Sequence, residues 1–230
     1  MIYAEILAGG NGTRMGNTEL PKQFLMLGNK PIIIYSIEQF LKNKRVDKII
    51  ITCIPTHIDY LKELLDKYIT NQSIIEIVKG GKTRNDSVIN GCNYISDKYG
   101  LNDDDVIIVH DSVRPFINQR IINDNIDMVL KYGAVGTAIP ATDTVFITDN
   151  DNIKEIPLRD NMFLAQSPQS FNIKKLMTLY SKLSSEEKDI MTDSCKIFTL
   201  NKENVKLVLG DLSNIKITTK HDLEVANKTK

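Results

Sequence analysis

The sequence has few cysteines, no excess charge of either sign and no long apolar run. Its three cysteines, at positions 53, 92 and 195, form no Cys-x-x-Cys pair, which favours free thiols in a reducing compartment over disulfides or a zinc site. The 29 Lys and Arg residues balance the 29 Asp and Glu residues, so no overall field indicates nucleic acid or an anionic membrane as a partner. No apolar stretch reaches the roughly 18 residues of a membrane span, and the start lacks a basic signal-peptide region. We therefore expect a cytoplasmic protein that binds neither nucleic acid nor membranes.

Apolar periodicity along the first 140 residues alternates between two kinds of segment. Runs rich in Ile and Val predict buried strands at residues 2–8, 48–54, 74–78, 106–110 and 134–139. Between them, apolar residues three and four apart predict helices at 31–41, 58–68, 88–99 and 121–130. Strands without in–out alternation are buried on both faces, which is typical of a parallel sheet covered by helices. The pattern predicts a Rossmann-like, doubly wound, mostly parallel α/β sheet in a single domain over residues 1–230.

The alternation stops after Pro140. Two short β-like pieces flank the turn cluster Asp-Asn-Asp-Asn at 149–152, and together they predict a β-arm over residues 141–167. A lone hairpin is marginally stable in water, so we expect the arm to pack against a second copy in a homodimer. Beyond it the pattern predicts helices at 173–183 and 184–197, strands at 205–209 and 215–218, and a last helix from 219.

A glycine-rich segment follows the first strand directly. Residues 7–16 read Leu-Ala-Gly-Gly-Asn-Gly-Thr-Arg-Met-Gly, and such glycines let backbone N–H groups approach an anion, although a tight turn alone would also explain them. A dinucleotide fingerprint fits poorly, because Met15 replaces its third glycine and the second strand ends without an acid. The Gly-Lys-Ser/Thr of a Walker loop is also missing. Arg14 inside the segment and Lys22 shortly after it suit a triphosphate whose charge must be balanced.

Eight motifs then recur in the order of a known family. They are Leu-Ala-Gly-Gly-Asn-Gly-Thr-Arg-Met from residue 7, Pro-Lys-Gln-Phe from 21, Gly-Gly-Lys-Thr-Arg-Asn-Asp-Ser from 80, His-Asp-Ser-Val-Arg-Pro-Phe from 110, Pro-Leu-Arg-Asp from 157, Gln-Ser-Pro-Gln-Ser-Phe from 166, Thr-Asp at 192 and Asn-Ile-Lys-Ile-Thr from 214. The sequence resembles the sugar-phosphate nucleotidyltransferases. Within them it is similar to the cytidylyltransferases that act on methylerythritol 4-phosphate or ribitol 5-phosphate.

This resemblance implies a role for each motif. CTP would be bound by Leu7, Ala8, Gly9, Gly10, Gly12, Gly81, Lys82, Thr83, Arg84, Asn85, Asp86, Ser87 and Ser112. Catalytic roles would fall to Arg14, Lys22, Arg159 and Lys216, and the acceptor would contact Thr144, Arg159 and Ser167. Asp111 would hold Mg²⁺, the implied cofactor, at a strand end where open parallel sheets place ligands.

Each role has a plainer alternative in the sequence itself. Ser87 could cap a helix, Asp111 could cap a helix or pair with Arg114, and Lys216 could face solvent from an alternating strand. His110 is expected to be structural. Arg159 could act from the partner subunit of a dimer.

Two details favour ribitol 5-phosphate as the acceptor over methylerythritol 4-phosphate. The motif His-Asp-Ser-Val-Arg-Pro-Phe looks more like the ribitol branch, and Thr-Asp-Ser-Cys-Lys at 192–196 resembles that branch's Thr-Asp-Ala-Cys-Lys. If so, CDP-ribitol would be formed for teichoic acid or a related cell-surface polymer. A nucleotide sensor without catalysis and an NAD-dependent oxidoreductase stay open as alternatives, which turnover and NADH binding would separate.

Overall fold

A seven-stranded, mostly parallel sheet forms the centre of the protein. The computed structural model describes residues 1–10 and 20–228. The sheet strands are β1 (Ile2–Ala8), β4 (Lys48–Cys53), β5 (Ile75–Lys79), β6 (Val106–Asp111), β7 (Ala134–Pro140), β10 (Phe163–Asn172) and β11 (Lys206–Leu209), in the spatial order β11-β7-β10-β6-β1-β4-β5. Strands β1, β4, β5 and β6 pair in parallel, as the sequence predicts. Two short strands, β2 (Met26–Leu27) and β3 (Lys30–Pro31), form a separate ribbon.

Helices cover both faces of this sheet. They are α1 (Ile32–Lys42), α2 (Ile58–Tyr68), α3 (Arg84–Tyr99), α4 (Gln119–Tyr132), α5 (Ile173–Ser181), α6 (Ser185–Asp189), α7 (Cys195–Leu200) and α8 (Lys220–Lys228). One apolar core lies under α1, α2 and α4, and a second lies under α3, α5 and α7. The doubly wound α/β class predicted from the sequence is therefore confirmed. Among the described residues no helix is long and apolar enough to cross a membrane.

Strand β10 is the main feature that the sequence analysis missed. It lies between β6 and β7 and runs antiparallel to both. Its middle residues Gln166, Ser167 and Gln169 are buried, so polar side chains hide the apolar pattern that would identify a central strand. The last residues of the predicted 141–167 arm consequently pair with β7 in the central sheet, and the hairpin itself consists of β8 (Ile147–Asp149) and β9 (Asn152–Glu155).

Three smaller predictions were wrong. Helix α3 begins at Arg84 and not at 88, because Thr83 caps it and forms a capping box with Asp86. The helix predicted at 184–197 is two short helices, α6 and α7. Residues 215–218 form no strand. Their backbone N–H groups donate from Ile215 to the Ser213 carbonyl at 2.8 Å and from Ile217 to the Val113 carbonyl at 2.9 Å, before α8 begins.

Candidate functional site

A cleft of about 330 Å³ opens at the carboxyl ends of β1 and β6. Open parallel sheets place ligands at this edge. The described residues that line it are Leu7, Gly9, Gly10, Lys22, Gln23, Lys82, Thr83, Arg84, Ser87, Asp111, Ser112, Val113 and Lys216. Segments that are far apart in the sequence therefore meet at a single cavity.

Leu7, Gly9 and Gly10 of the glycine-rich segment form one wall of the cleft, and a buried glutamine supports this wall. The Gln23 side chain is 1% exposed and donates from Nε2 to the carbonyl of Ala8 at 2.8 Å and to that of Gly10 at 3.2 Å. These bonds occupy the carbonyl groups of Ala8 and Gly10 and hold the start of the glycine-rich segment in place. No role was predicted for Gln23, although it lies in the Pro-Lys-Gln-Phe motif. The predicted Gly12 and Arg14 lie outside the described residues.

Three cations surround the Asp111 carboxylate. Lys216 Nζ lies 2.8 Å from Oδ2, Arg84 Nε lies 3.3 Å from Oδ1, and Arg114 Nε lies 4.0 Å from Oδ2. Burial alone would raise the pKa of Asp111, but Arg84, Lys216 and Arg114 together hold it well below its usual value. Asp111 is therefore ionised at any physiological pH. The pairing of Asp111 with Arg114, which the sequence left open as an alternative, is thus one contact of a larger cluster. Lys216, for which the alternative was a position facing solvent, lies in the cleft.

Behind Asp111, two buried polar side chains fix its backbone. The Asp111 N–H donates to Ser167 Oγ at 3.0 Å, and Ser167 Oγ lies 3.2 Å from His110 Nδ1. His110 Nε2 is 3.1 Å from the Arg114 carbonyl; because a carbonyl only accepts, Nε2 donates and Nδ1 accepts from the Ser167 hydroxyl. Burial lowers the pKa of His110 to about 4, which keeps the ring neutral. The predicted acceptor residue Ser167 thus supports Asp111 from inside the protein and does not line the cleft.

The segment before α3 forms the opposite wall. Ser87 Oγ accepts from the Gly81 N–H and donates to the Thr83 carbonyl, both at 3.0 Å, so its hydroxyl braces the segment, and the helix-cap alternative is wrong. A Cβ on Gly9 would lie 3.1 Å from that hydroxyl, so the two walls of the cleft lie close together at this point. Of the residues predicted to bind CTP here, Gly81, Asn85 and Asp86 build the segment, whereas Lys82, Thr83, Arg84 and Ser87 line the cleft.

Two predicted acceptor residues lie elsewhere in this chain. Thr144 precedes β8 and Arg159 follows β9, both exposed and neither lining the cleft. The hairpin between them is strongly apolar for a surface element. Its exposed hydrophobic side chains are Phe146, Ile147, Ile153, Ile156 and Leu158, the last 75% exposed.

Comparison with known proteins gives the family. The sequence model of the family described as IspD, 2-C-methyl-D-erythritol 4-phosphate cytidylyltransferase, matches residues 2–229. A ribitol-5-phosphate cytidylyltransferase from Lactiplantibacillus plantarum is 51% identical over 227 residues, which are 99% of this chain and 97% of that protein.

Solved structures agree in fold. The 2-C-methyl-D-erythritol 4-phosphate cytidylyltransferase of Francisella tularensis superposes with a TM-score of 0.82 at 30% identity, covering 100% of this chain and 99% of that one. The 4-diphosphocytidyl-2C-methyl-D-erythritol synthase of Anaerococcus prevotii superposes with a TM-score of 0.81 at 30% identity, covering 99% and 95%. The resemblance seen in the sequence motifs is confirmed: the chain belongs to the IspD family and is a cytidylyltransferase.

Proposed function

We propose that this cytidylyltransferase transfers CMP from CTP to D-ribitol 5-phosphate, releasing pyrophosphate and forming CDP-ribitol. The observation that carries the choice of acceptor is the 51% identity, over nearly the whole of both chains, to a ribitol-5-phosphate cytidylyltransferase. The two solved methylerythritol-phosphate enzymes compared above are each 30% identical to this chain. We further propose that the reaction runs in the cytoplasm and that its product serves teichoic acid or a related cell-surface polymer.

The cleft suits a nucleoside triphosphate bound along the glycine turn. Backbone N–H groups near Gly9 and Gly10 and the ammonium of Lys22 would hold the phosphates, while the segment that carries Lys82 and Arg84 would contact the cytidine. All these residues line one cavity. Fixed donors and cations in a partly desolvated cavity stabilise phosphate charge more than they would in water.

Asp111 is the residue that would hold Mg²⁺. Its carboxylate lines the cleft and is ionised; each carboxylate oxygen has about two lone-pair sites and is within 3.5 Å of one cation here, so sites remain for a metal. Within residues 1–10 and 20–228, no group of three or more acidic, His or Cys side chains could ligate a metal. That donor set fits a Mg²⁺ bound by one carboxylate and by substrate phosphate oxygens. The bound ion would neutralise charge on the triphosphate.

The chemistry is a direct displacement at the α-phosphorus of CTP. A phosphate oxygen of ribitol 5-phosphate forms the new P–O bond, the bond to the bridging oxygen of the β-phosphate breaks, and pyrophosphate leaves with that electron pair. A phosphate monoester is already anionic at neutral pH, so no base is needed. Lys22 and Lys216 would stabilise the charge that builds up at the attacked phosphorus, and the cleft walls would orient the two phosphates.

The apolar hairpin supports a homodimer in which Arg159 acts in trans. Five exposed hydrophobic side chains on one two-stranded element are unfavourable in water, and burial against a second copy would remove them from solvent. Thr144 and Arg159 flank this hairpin, away from the cleft of their own chain, so a paired copy could bring them to the acceptor. Mixing Lys216→Ala and Arg159→Ala subunits tests this: hybrid dimers should regain one working site. Activity no higher than the two parents would exclude the trans arrangement.

Pyrophosphate release tests the reaction itself. The purified protein is incubated with CTP, Mg²⁺ and either ribitol 5-phosphate or methylerythritol 4-phosphate, and one sample is treated with a chelator. Lys182→Ala, which removes an exposed lysine, is the control for Lys216→Ala. We expect release with ribitol 5-phosphate, none after chelation, and normal rates for the control. Asp111→Asn should raise the Mg²⁺ concentration needed for half-maximal rate.

Other outcomes would each replace the proposal with a different one. A preference for methylerythritol 4-phosphate would give the chain the acceptor of its structural relatives. Binding of CTP without turnover on any acceptor would favour the nucleotide sensor.

A further inference from the structure

Ser194 stands at the N-cap of α7 but does not cap that helix with its side chain. Serine at this position usually accepts a backbone N–H of the first turn. The Ser194 hydroxyl, which is fully buried, instead faces α3: it accepts from Arg84 Nη1 at 2.8 Å and donates to Asn85 Oδ1 at 2.9 Å. A favoured local bond is therefore exchanged for two contacts with a segment about a hundred residues earlier.

These contacts fix a side chain of the cleft at two points. Arg84 lines the cavity, bonds to Asp111 through Nε at 3.3 Å, and bonds to Ser194 through Nη1. The guanidinium is planar and rigid, so two anchors on different nitrogens define its plane. With Asp111 as the single anchor, the group could rotate about the remaining bond.

The loop that carries Ser194 is itself tied to the central sheet. The carboxylate of the preceding Asp193 accepts from Gln169 Nε2 and, at 2.8 Å, from the Cys195 N–H. Gln169 is a buried residue of β10. The position of the Ser194 hydroxyl is therefore set by the sheet.

We propose that Ser194 is a positioning residue for CTP binding, holding the Arg84 guanidinium in the plane that faces the nucleotide. The inference rests on the proposed contact of Arg84 with CTP. Arg84 keeps its bond to Asp111 when the Ser194 hydroxyl is removed, so we expect a graded effect on affinity and no loss of the reaction. Hydrogen bonds to charged groups are among the stronger ones, and because Arg84 keeps its Asp111 contact we take the lower end, about a tenfold weaker Kd for CTP in Ser194→Ala.

A double-mutant cycle separates this role from a general structural one. The Kd of CTP with Mg²⁺ is measured by calorimetry for the wild type, Ser194→Ala, Arg84→Ala and the double variant. If Ser194 acts through Arg84, removing its hydroxyl changes nothing further once Arg84 is gone. Additive effects, or wild-type affinity in Ser194→Ala, would overturn the proposal.

The control is a second buried serine that bonds to an asparagine. Ser170 Oγ donates to Asn125 Oδ1 at 2.8 Å, is fully buried, and does not line the cleft. Ser170→Ala should lower stability while leaving the Kd for CTP unchanged; an equal loss of affinity in both variants would make the Ser194 effect a general one. Should Ser194→Ala not fold, Ser194→Cys keeps a side chain there with a much weaker hydrogen bond, and the same cycle applies.

The outcome also separates this inference from the proposed function. CTP binding by the wild type without turnover on ribitol 5-phosphate would overturn the acceptor and leave the cycle interpretable. A wild type that binds no CTP would overturn both.

Discussion

Glu5 lies in the middle of the central strand β1 and is fully buried beneath α3. Neither of its carboxylate oxygens has a hydrogen-bond partner of normal geometry, and the space it occupies exists because residue 91 is glycine: a Cβ there would lie 2.5 Å from Glu5 Oε1. Burial raises the pKa of Glu5 well above 4.5, and nearby Thr52 and Arg84 offset this only in part. The folded protein therefore holds Glu5 as the neutral acid over part of the pH range in which the unfolded chain ionises it.

This difference makes folding stability depend on pH in a known direction. Because the folded-state pKa is the higher one, the stabilisation is complete below pH 4.5 and is lost as pH rises, until the folded-state pKa is passed. Over that window the unfolding free energy falls by about 1.4 kcal/mol per pH unit. Glu5→Gln replaces the acid with a neutral group of the same shape. The unfolding free energy of the variant should therefore rise relative to that of the wild type by about 1.4 kcal/mol per pH unit.

The assay is urea unfolding of wild type and Glu5→Gln at pH 5, 6, 7 and 8, with Glu63→Gln on the exposed face of α2 as the control for losing one carboxyl. The quantity compared is the difference between variant and wild type, because His110 contributes an opposite slope below pH 6.5. A difference that stays constant from pH 5 to pH 7 would refute the reasoning and mean that Glu5 is ionised in the folded protein.

Lys216→Ala should lower turnover by about a hundredfold or more through loss of charge stabilisation at the attacked phosphorus. The melting temperature should change little, because Arg84 and Arg114 remain beside the Asp111 carboxylate; near-normal turnover would remove Lys216 from the mechanism. For His110, whose pKa falls from 6.5 to about 4 on folding, stability should decrease by about 3 kcal/mol as pH falls through that window. His110→Gln should flatten this slope in urea unfolding, and an unchanged slope would contradict the neutral ring. Thr83→Ala should cost about 1 kcal/mol of stability by removing the cap of α3, and thermal melts unaffected by the change would count against the capping box.

The fold was predictable where hydrophobic burial alone decides it. Strands β1, β4 and β6 are mostly apolar, with Glu5 as the exception inside β1, because helices cover both faces of the sheet. Their predicted ranges agree with the structure within one residue. Strand β10 escaped prediction because its buried positions are filled by Gln and Ser that bond to other polar groups. Periodicity registers burial of apolar side chains and not burial of satisfied polar ones.

The site was predictable to the extent that its motifs carry chemistry by themselves. Lys22, Asp111 and Lys216 were singled out and line a common cleft. The sequence alone could not distinguish residues that support the site from residues that bind the ligand. The hydroxyls of Ser87 and Ser167, for example, could contact a ligand or, as here, a backbone group. Gln23 and Ser194 act through contacts with distant segments, and no local spacing reports such contacts.

The insertion of β10 between β6 and β7 has a consequence for synthesis. A chain emerges from the ribosome with its N-terminus first, and β5, β4, β1 and β6 are all complete by residue 111. Strand β7 has no neighbour among them and must wait for β10, some thirty residues later along the chain. Growing chains thus acquire Gly9, Gly10 and Asp111 early, whereas Lys216, which pairs with Asp111, is made about a hundred residues after it. The order of translation therefore keeps the nascent enzyme without its complete charge cluster until Lys216 has been added.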